Sequence, residues 1–331
     1  MCTVFNIWRK DLDMHLTGKN YDLPDPCPGR VYVNKRGVKK TAILRPPDQP
    51  AQWRSLYGSV TFSQVGAEFP SCGMNECGLV VEQTSLWTTL YPDRDARPAI
   101  TELQWIQYML DTCGSVDEVL DTAQQIRIAQ EAQRIQYYVT DRSGAQCLLA
   151  WILGELQLHR SQPDEPFVIA NDMLETSRDY ERIHQGYGGT RPVTKSDMSL
   201  DRYMVTVDAL RQIRAGGRIP ASWFEVLDAS AFAQTQWQIL YHIPTGQIEY
   251  RTKVNRSSST IHMQDLCFDD TLVPEYCAME SQEPQVEPVT ECDNLDFLRQ
   301  FFSTSSVTPR QRMQEETIVG INAAVMRYYE S

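Results

Sequence analysis

The chain opens "MCTVFNIW", with a cysteine directly behind the first methionine. A chain end is normally exposed and poorly ordered, so a thiol there packs against nothing and invites oxidation. Two readings follow. In one, the cysteine is incidental. In the other, Met1 is removed and Cys2 carries a thiol and a free α-amine on one residue. The unperturbed pKa of the amine is about 8 and that of the thiol about 8.5, so a proton passes between them at little cost. The amine takes the thiol proton, directly or through one water, and the thiolate attacks an amide carbonyl. The ammonium then returns its proton to the departing nitrogen. Nucleophile and base on one residue is a variant of the N-terminal threonine arrangement. Such a site needs a carboxylate to hold the ammonium, a cation to favour the thiolate, and amide donors for the oxyanion.

The sequence supplies a candidate for each part. "TGKNYD" places Lys19, Asn20 and Asp22 just after the first strand-like run. If "NIWRKDLDM" turns the chain back tightly, this stretch lies beside Cys2; Asp22 then holds the ammonium and Lys19 favours the thiolate. Asn171 ends the strand-like run of "VIANDML", positioned to donate to an oxyanion, and Arg202 of "SLDRY" falls in the first turn of a helix. Each residue alone also has a structural explanation. Asp22 caps a turn, Lys19 is solvated, Asn171 sits at a turn, or Arg202 pairs with Asp201 or Glu175. Tyr21 and Trp87, next to these segments, are candidates to line an apolar acyl pocket, with ordinary core packing as the alternative.

Other chemistries find less support. The nine cysteines form no CxxC pair and lack the spacing of a zinc finger, so they read as reduced, mostly buried thiols and no metal is expected. No Cys-His segment of the papain type is present. "HQGYGGTRP" lacks the GK[ST] of a phosphate-binding loop and reads as a mobile loop near the mouth of the site. The net charge of −12 opposes nucleic acid and anionic membrane surfaces as partners. No apolar run is long enough to span a bilayer, and the N-terminus has no basic flank followed by an apolar stretch, which points to a cytoplasmic location.

The elements that must position these residues group by type. "QYYVTDRSGAQCLLAWILGELQLHR" alternates apolar and polar residues and is broken twice, predicting a three-stranded antiparallel meander. "WQILYHIPTGQIEYRTKV" predicts a hairpin, and "VTFSQVG" and "GLVVEQTSLW" two strands split by "PSCGMNEC". "AITELQWIQYML", "SVDEVLDTAQQI" with its capping-box pattern, and "SLDRYMVTVDALRQIR" predict helices. Antiparallel blocks alternating with helices give an α+β fold. The acidic, proline-bearing stretch 280–293 reads as a linker between a main domain, residues 1–279, and a helical C-terminal extension, residues 294–331. The helices of that extension are expected to pack on the main body or at a dimer contact.

Taken together, "MCT", "GKNYDL", "NECGL", "VIANDM" and "MSLDRY" resemble, in order and spacing from residue 1 to about Cys277, the choloylglycine hydrolase family of bile salt hydrolases, penicillin V acylases and related linear-amide hydrolases. That family lies within the N-terminal-nucleophile (Ntn) hydrolases. The resemblance implies a four-layer αββα sandwich, two antiparallel sheets between helix layers, with Cys2 starting a central strand. It implies Cys2 as nucleophile and base, Asp22 at the α-ammonium, Asn171 in the oxyanion hole and Arg202 in the charge network around the thiol. Two positions depart from the family pattern. Lys19 stands where the family has arginine, which turns a planar fork into a point charge. Ser85 stands where the family has a substrate-side Asn or Tyr, and Glu82, Gln83 and Thr84 are alternatives for that role. The implied activity is hydrolysis of a linear, non-peptide C–N amide through an acyl-thioester, on a small-molecule substrate, without a cofactor, in a homo-oligomer (dimer or tetramer). Acyl transfer from the same intermediate, or a non-catalytic binding protein on the same fold, are the alternatives.

Overall fold

The computed structural model describes residues 2–26, 28–129, 133–162, 165–281, 285–303 and 313–330. Met1 lies outside them, as do Cys27 and residues 282–284 of the acidic stretch. The helices are α1 (Glu102–Thr112), α2 (Val116–Gln125), α3 (Leu174–Arg182), α4 (Ser199–Arg214), α5 (Phe224–Ser230), α6 (Glu291–Ser303) and α7 (Glu315–Met326).

Two antiparallel sheets stack face to face. The first is ordered Phe167–Ile169, Cys2–Arg9, Met14–Asp22, Thr235–His242, Gln247–Thr252, Ser259–His262. The second is ordered Glu155–Arg160, Gln146–Ile152, Ile135–Thr140, Val80–Ser85, Cys72–Asn75, Ser59–Ser63, Arg30–Asn34, Glu275–Ala278, Glu287–Pro288. The period of two sorts each strand between faces. Between the sheets, Cys2, Tyr21, Trp237, Ile239 and Tyr241 meet Val31, Val60, Phe62, Met74 and Val80. On the outer face of the first sheet, Phe5, Ile7, Leu16 and Leu240 are covered by Tyr203 and Leu210 of α4 and Phe224 and Leu227 of α5. On the outer face of the second, Leu79, Val81, Tyr137 and Val139 are covered by Trp105, Ile106 and Leu110 of α1 and Val119 and Leu120 of α2. The layers therefore run helix, sheet, sheet, helix, the αββα order expected.

Local sequence accounts for the elements around the chain start. Lys10–Leu12 makes a single 3-10 turn and Asp13 takes φ 48°, which returns the chain so that Cys2 pairs with Tyr21 and Arg9 with Met14. Gly18 is required in the returning strand, because a Cβ there would lie 2.4 Å from the Phe5 ring. The α2 cap is a shifted capping box. Ser115 Oγ accepts the Glu118 N–H, while Glu118 Oε2 accepts from Gly114 rather than from Ser115.

The stretch "PSCGMNEC", expected as a break, contains the strand Cys72–Asn75, paired on both sides. Its shortness and its glycine hide it from the alternation rule. A Cβ on Gly73 would lie 2.6 Å from the Val60 carbonyl oxygen, so only glycine allows this approach.

Helices α6 and α7 lie on the outer face of the second sheet, where Leu298, Ile318, Val325 and Tyr328 pack with Tyr32, Val65 and Phe69. Asn294 is fully buried there. Its Oδ1 accepts the Ala67 N–H at 2.9 Å and its Nδ2 donates to Asn322 Oδ1 at 2.8 Å. Beyond α7, the Tyr329 hydroxyl donates to Glu68 Oε1 at 2.8 Å, sealing a buried triad in which Lys40 Nζ lies 2.8 Å from Glu68 and 2.9 Å from Asp111.

Farther along the opening hairpin, the space between the sheets turns polar. His15 Nε2 lies 3.0 Å from Asn6 Oδ1, which also accepts from Thr17 Oγ1. Burial holds the His15 imidazole down at about 4, against a weaker upward pull from Asp141. In the unfolded chain the same group titrates near 6.5. The unfolded state therefore binds more protons between these values. The neutral-histidine contribution is complete above about pH 6.5 and is lost as pH falls toward 4. It amounts to roughly 3 kcal/mol across that window. Urea unfolding of His15→Gln should show a flatter loss of stability from pH 6.5 to 4 than the parent chain; equal slopes would contradict the assignment.

Candidate active site

The register of the opening hairpin decides which side chains share a face. Cys2 pairs with Tyr21, Thr3 with Asn20, and Val4 with Lys19. Cys2, Lys19 and Tyr21 therefore point between the sheets, and Thr3, Asn20 and Asp22 point toward the helices. On the far side of the opening strand Val4 pairs with Ile169, and the same register carries Asn171 to the level of Cys2. The Cys2 main-chain nitrogen donates to Asn171 Oδ1 at 2.9 Å. Asn171 is itself pinned, its N–H donating to Ser199 Oγ at 2.8 Å and its Nδ2 to the Ser85 carbonyl at 2.9 Å.

Arg202 joins the helix side of this group. It projects from the first turn of α4 and has no exposed side-chain surface. Nη1 lies 3.0 Å from the Cys2 carbonyl oxygen, 2.7 Å from Thr3 Oγ1 and 3.1 Å from Asp22 Oδ2. Nη2 donates to Asn171 Oδ1 at 2.9 Å and Nε to the Asp197 carbonyl at 3.2 Å. The Thr235 hydroxyl donates to the other Asp22 oxygen at 2.7 Å, beside a bulge between Thr235 and Trp237. Burial pushes the Asp22 carboxyl up, while Arg202, Thr235 and Lys19 work against that shift. Asn20 Nδ2 ties the strand to α5 through the Leu227 carbonyl at 2.8 Å.

Four of the sequence-predicted residues, Cys2, Asp22, Asn171 and Arg202, thus meet in one hydrogen-bonded network. Lys19 lies on the opposite face of the same strand. Its Nζ is 2.6 Å from Glu82 Oε2, both side chains wholly buried, and 3.2 Å from the Ser71 carbonyl. Burial works to lower the Lys19 pKa, but with the Glu82 carboxylate against the ammonium the net direction is up. Burial, with Glu82 nearby, pushes the Cys72 thiol well up, which keeps it neutral.

The remaining candidates are arranged differently. The Tyr21 ring is buried and stacked on Trp237 at 4.6 Å. Ser85 reaches the group through its carbonyl rather than its hydroxyl. Trp87 is 72% exposed beyond the strand end. Residues not singled out for this network are Thr3, Thr235 and Ser199. The pairing of Glu82 with Lys19 was also not foreseen, although the strand "VVEQTS" carried a signal: a carboxylate two residues after Val80, on the same face of the strand as that apolar side chain. Among the described residues, no group of three or more His, Cys, Asp or Glu side chains is disposed to hold a metal.

Cys2 is 3% exposed. Two cavities lie elsewhere. One of about 150 Å3 sits where α6 and α7 meet the body, lined by residues such as Phe69, Leu103 and Phe301. One of about 290 Å3 is lined by residues such as Phe167, Arg178 and Tyr203.

A four-layer αββα stack with a strand beginning at Cys2 is the fold of the N-terminal-nucleophile hydrolases. A model of the linear amide C-N hydrolases, choloylglycine hydrolase family, matches residues 2–206, more than half of the chain, and the chain belongs to that family. A penicillin V acylase of Pectobacterium atrosepticum is 24% identical over 166 residues, 45% of this chain and 44% of that protein. The match thus spans less than half the length of that relative. Among solved structures, penicillin V acylase from Agrobacterium tumefaciens superposes with a TM-score of 0.69 at 19% identity, over 83% of this chain and 91% of that one. A mutant of conjugated bile acid hydrolase from Clostridium perfringens gives a TM-score of 0.67 at 15% identity, over 88% of this chain and 97% of that one. At these identities the superpositions establish the fold. No helix among the described residues is long and apolar enough to cross a membrane.

Because the Arg202 guanidinium is the buried partner of Asp22, removing it strands a carboxylate in a dry layer. Arg202→Met should cost about 3–5 kcal/mol in urea unfolding at pH 7. Arg202→Lys should cost less but still lose the forked contact to Asn171. A loss below about 1 kcal/mol for Arg202→Met would show that the network carries no such load.

Proposed function

We propose that this protein hydrolyses a linear, non-peptide C–N amide bond through an acyl-thioester on Cys2. The observation that carries this reading is the bond from the Cys2 nitrogen to Asn171 Oδ1, within the network of Arg202 and Asp22. Loss of Met1 converts that nitrogen from an amide to an amine already held in place. The amine takes the thiol proton, and the thiolate adds to the substrate carbonyl carbon. The carbonyl electrons move to oxygen, toward the second N–H of Asn171 Nδ2, the first being engaged by Ser85. As the C–N bond breaks, the ammonium of Cys2 gives its proton to the leaving nitrogen. Water, deprotonated by the same amine, then cleaves the thioester. Asp22 keeps the ammonium oriented through Arg202. Tyr21 and Trp87 border the acyl side, and Ser85 anchors Asn171.

The names of the relatives, penicillin V acylase and conjugated bile acid hydrolase, direct the choice of amides to penicillin V and conjugated bile acids, and phenoxyacetyl and fatty-acyl amides are also compatible with the family resemblance. The reading treats residues 1–279 as the hydrolase domain, 280–293 as a linker and 294–331 as an extension that packs on it. It also places the protein in a reducing, cytoplasmic environment, a choice supported by eight described cysteines that are all free. It includes a homo-oligomer, as the family resemblance implies.

A panel of these amides, followed by release of the free amine, tests the proposal. Cys2→Ala should abolish turnover of whichever amide is cleaved while leaving urea stability nearly unchanged, since the side chain is small. Full turnover by Cys2→Ala would refute the assignment of the nucleophile.

A further inference from the structure

Lys19 presents a problem that the proposed mechanism leaves open. Its ammonium is wholly buried between the sheets, on the Cys2 side of the hairpin. A lone buried cation of this kind sheds its proton rather than remain charged. Glu82, from the facing strand of the second sheet, answers it at 2.6 Å and is equally buried. Val80 of the same strand and face packs with Cys2 in the apolar layer, and Thr84 accepts from Gln136, which also reaches the Ala170 carbonyl beside Asn171. The pair therefore bridges the two sheets directly behind the nucleophile.

We propose that Glu82 is a positioning residue for the hydrolase: it fixes Lys19 between the sheets and sets how much of that positive charge reaches the Cys2 thiol. This inference rests on Cys2 being the nucleophile. Lys19 with Glu82 is a neutral pair in total, so the thiol meets a dipole rather than a free cation. That differs from an unopposed arginine or lysine. The other groups facing this space are named by strand. They are Cys72 of Cys72–Asn75, Tyr241 of Thr235–His242, and Tyr21 beside Lys19, whose ring lies 5.2 Å from Nζ. Asp22 and Arg202 act from the helix side and already neutralise one another. Cys72 and Tyr241 are both pushed well up by burial and stay neutral, so the balance of charge at the thiol from this side is that of Lys19 and Glu82.

The test is the rate of Cys2 alkylation by iodoacetamide against pH, with the modified site located by mass spectrometry and loss of Met1 confirmed by intact mass. Glu82→Gln removes the partner that keeps Lys19 protonated, so the amine sheds its charge and the midpoint of the profile should rise by about one pH unit. Lys19→Met should raise it by about as much, because burial then pushes the unpaired Glu82 carboxyl toward its neutral form. Lys19→Arg should keep the midpoint near that of the parent chain. The double variant Lys19→Met with Glu82→Met removes both charges. It is expected to fold, because apolar replacement of a whole buried pair is well tolerated, and its midpoint should match that of Lys19→Met. If Glu82→Gln leaves the midpoint unmoved while Lys19→Met raises it, Glu82 has no part in the charge at Cys2 and the proposal falls. Where the single variants unfold, a double variant with the parent's midpoint overturns it as well. Alkylation does not depend on a substrate, so a failure of amide turnover with the stated shifts would fault the reaction class alone. Turnover with unmoved midpoints in the single variants would fault this inference alone.

Discussion

A guanidinium with no exposed surface must be answered by the protein, because burying an unpaired charge costs several kcal/mol. Arg202 is answered by five groups drawn from four separate stretches of chain: the Cys2 carbonyl and Thr3 hydroxyl, Asp22, Asn171, and the Asp197 carbonyl. Satisfying that one side chain therefore fixes the start of the chain against the end of the second strand, the turn after Phe167–Ile169 and the first turn of α4. Few single contacts constrain so much of a fold. Because the network is closed and dry, each member is held by the others, and the position of the Cys2 nitrogen follows from that closure.

Cys2 belongs to two environments at once. Its main chain is fastened on the helix side by Asn171 and Arg202, and its side chain lies between the sheets with Lys19 and Glu82 beyond it. An extended strand makes this division unavoidable, since the backbone hydrogen bonds in the plane of the sheet while side chains leave it alternately up and down. The arrangement separates two tasks that a single pocket would have to combine. On the proposed mechanism, one set of charges orients the nitrogen that acts as base and the other tunes the sulfur. The departure from the family pattern at Lys19 belongs to the second set only, so a change from arginine to lysine leaves the Arg202 network untouched.

Much of this was legible in the sequence because it depends on short-range signals. Alternation gave the meander of Ile135–Thr140, Gln146–Ile152 and Glu155–Arg160, and the hairpin of Thr235–His242 with Gln247–Thr252. Serine and glycine bounded α2 and α4. The candidates Asp22, Asn171 and Arg202 were chosen as types that answer an ammonium, an oxyanion and a charge network, aided by the family resemblance. Their mutual bonds were not legible, because Arg202 and Asp22 are far apart in the chain and the adjoining Asp201, or Glu175, offered itself as a partner for Arg202. The Lys19 pairing was missed for a related reason. A lysine in a short polar segment looks solvated, and only the register of the hairpin turns it inward toward a strand some 60 residues on. The strand Cys72–Asn75 was concealed by its own glycine.

The central claim is that the amino group of Cys2, once uncovered, acts as the base for its own sulfur. Rapid quenching of the protein with a slowly cleaved amide, followed by intact-mass and peptide analysis, tests it most directly. The account predicts an acyl group on the sulfur of an N-terminal cysteine lacking Met1, and none on chains that retain it. An acyl group on another cysteine, or on Cys2 in chains that still carry Met1, would contradict it.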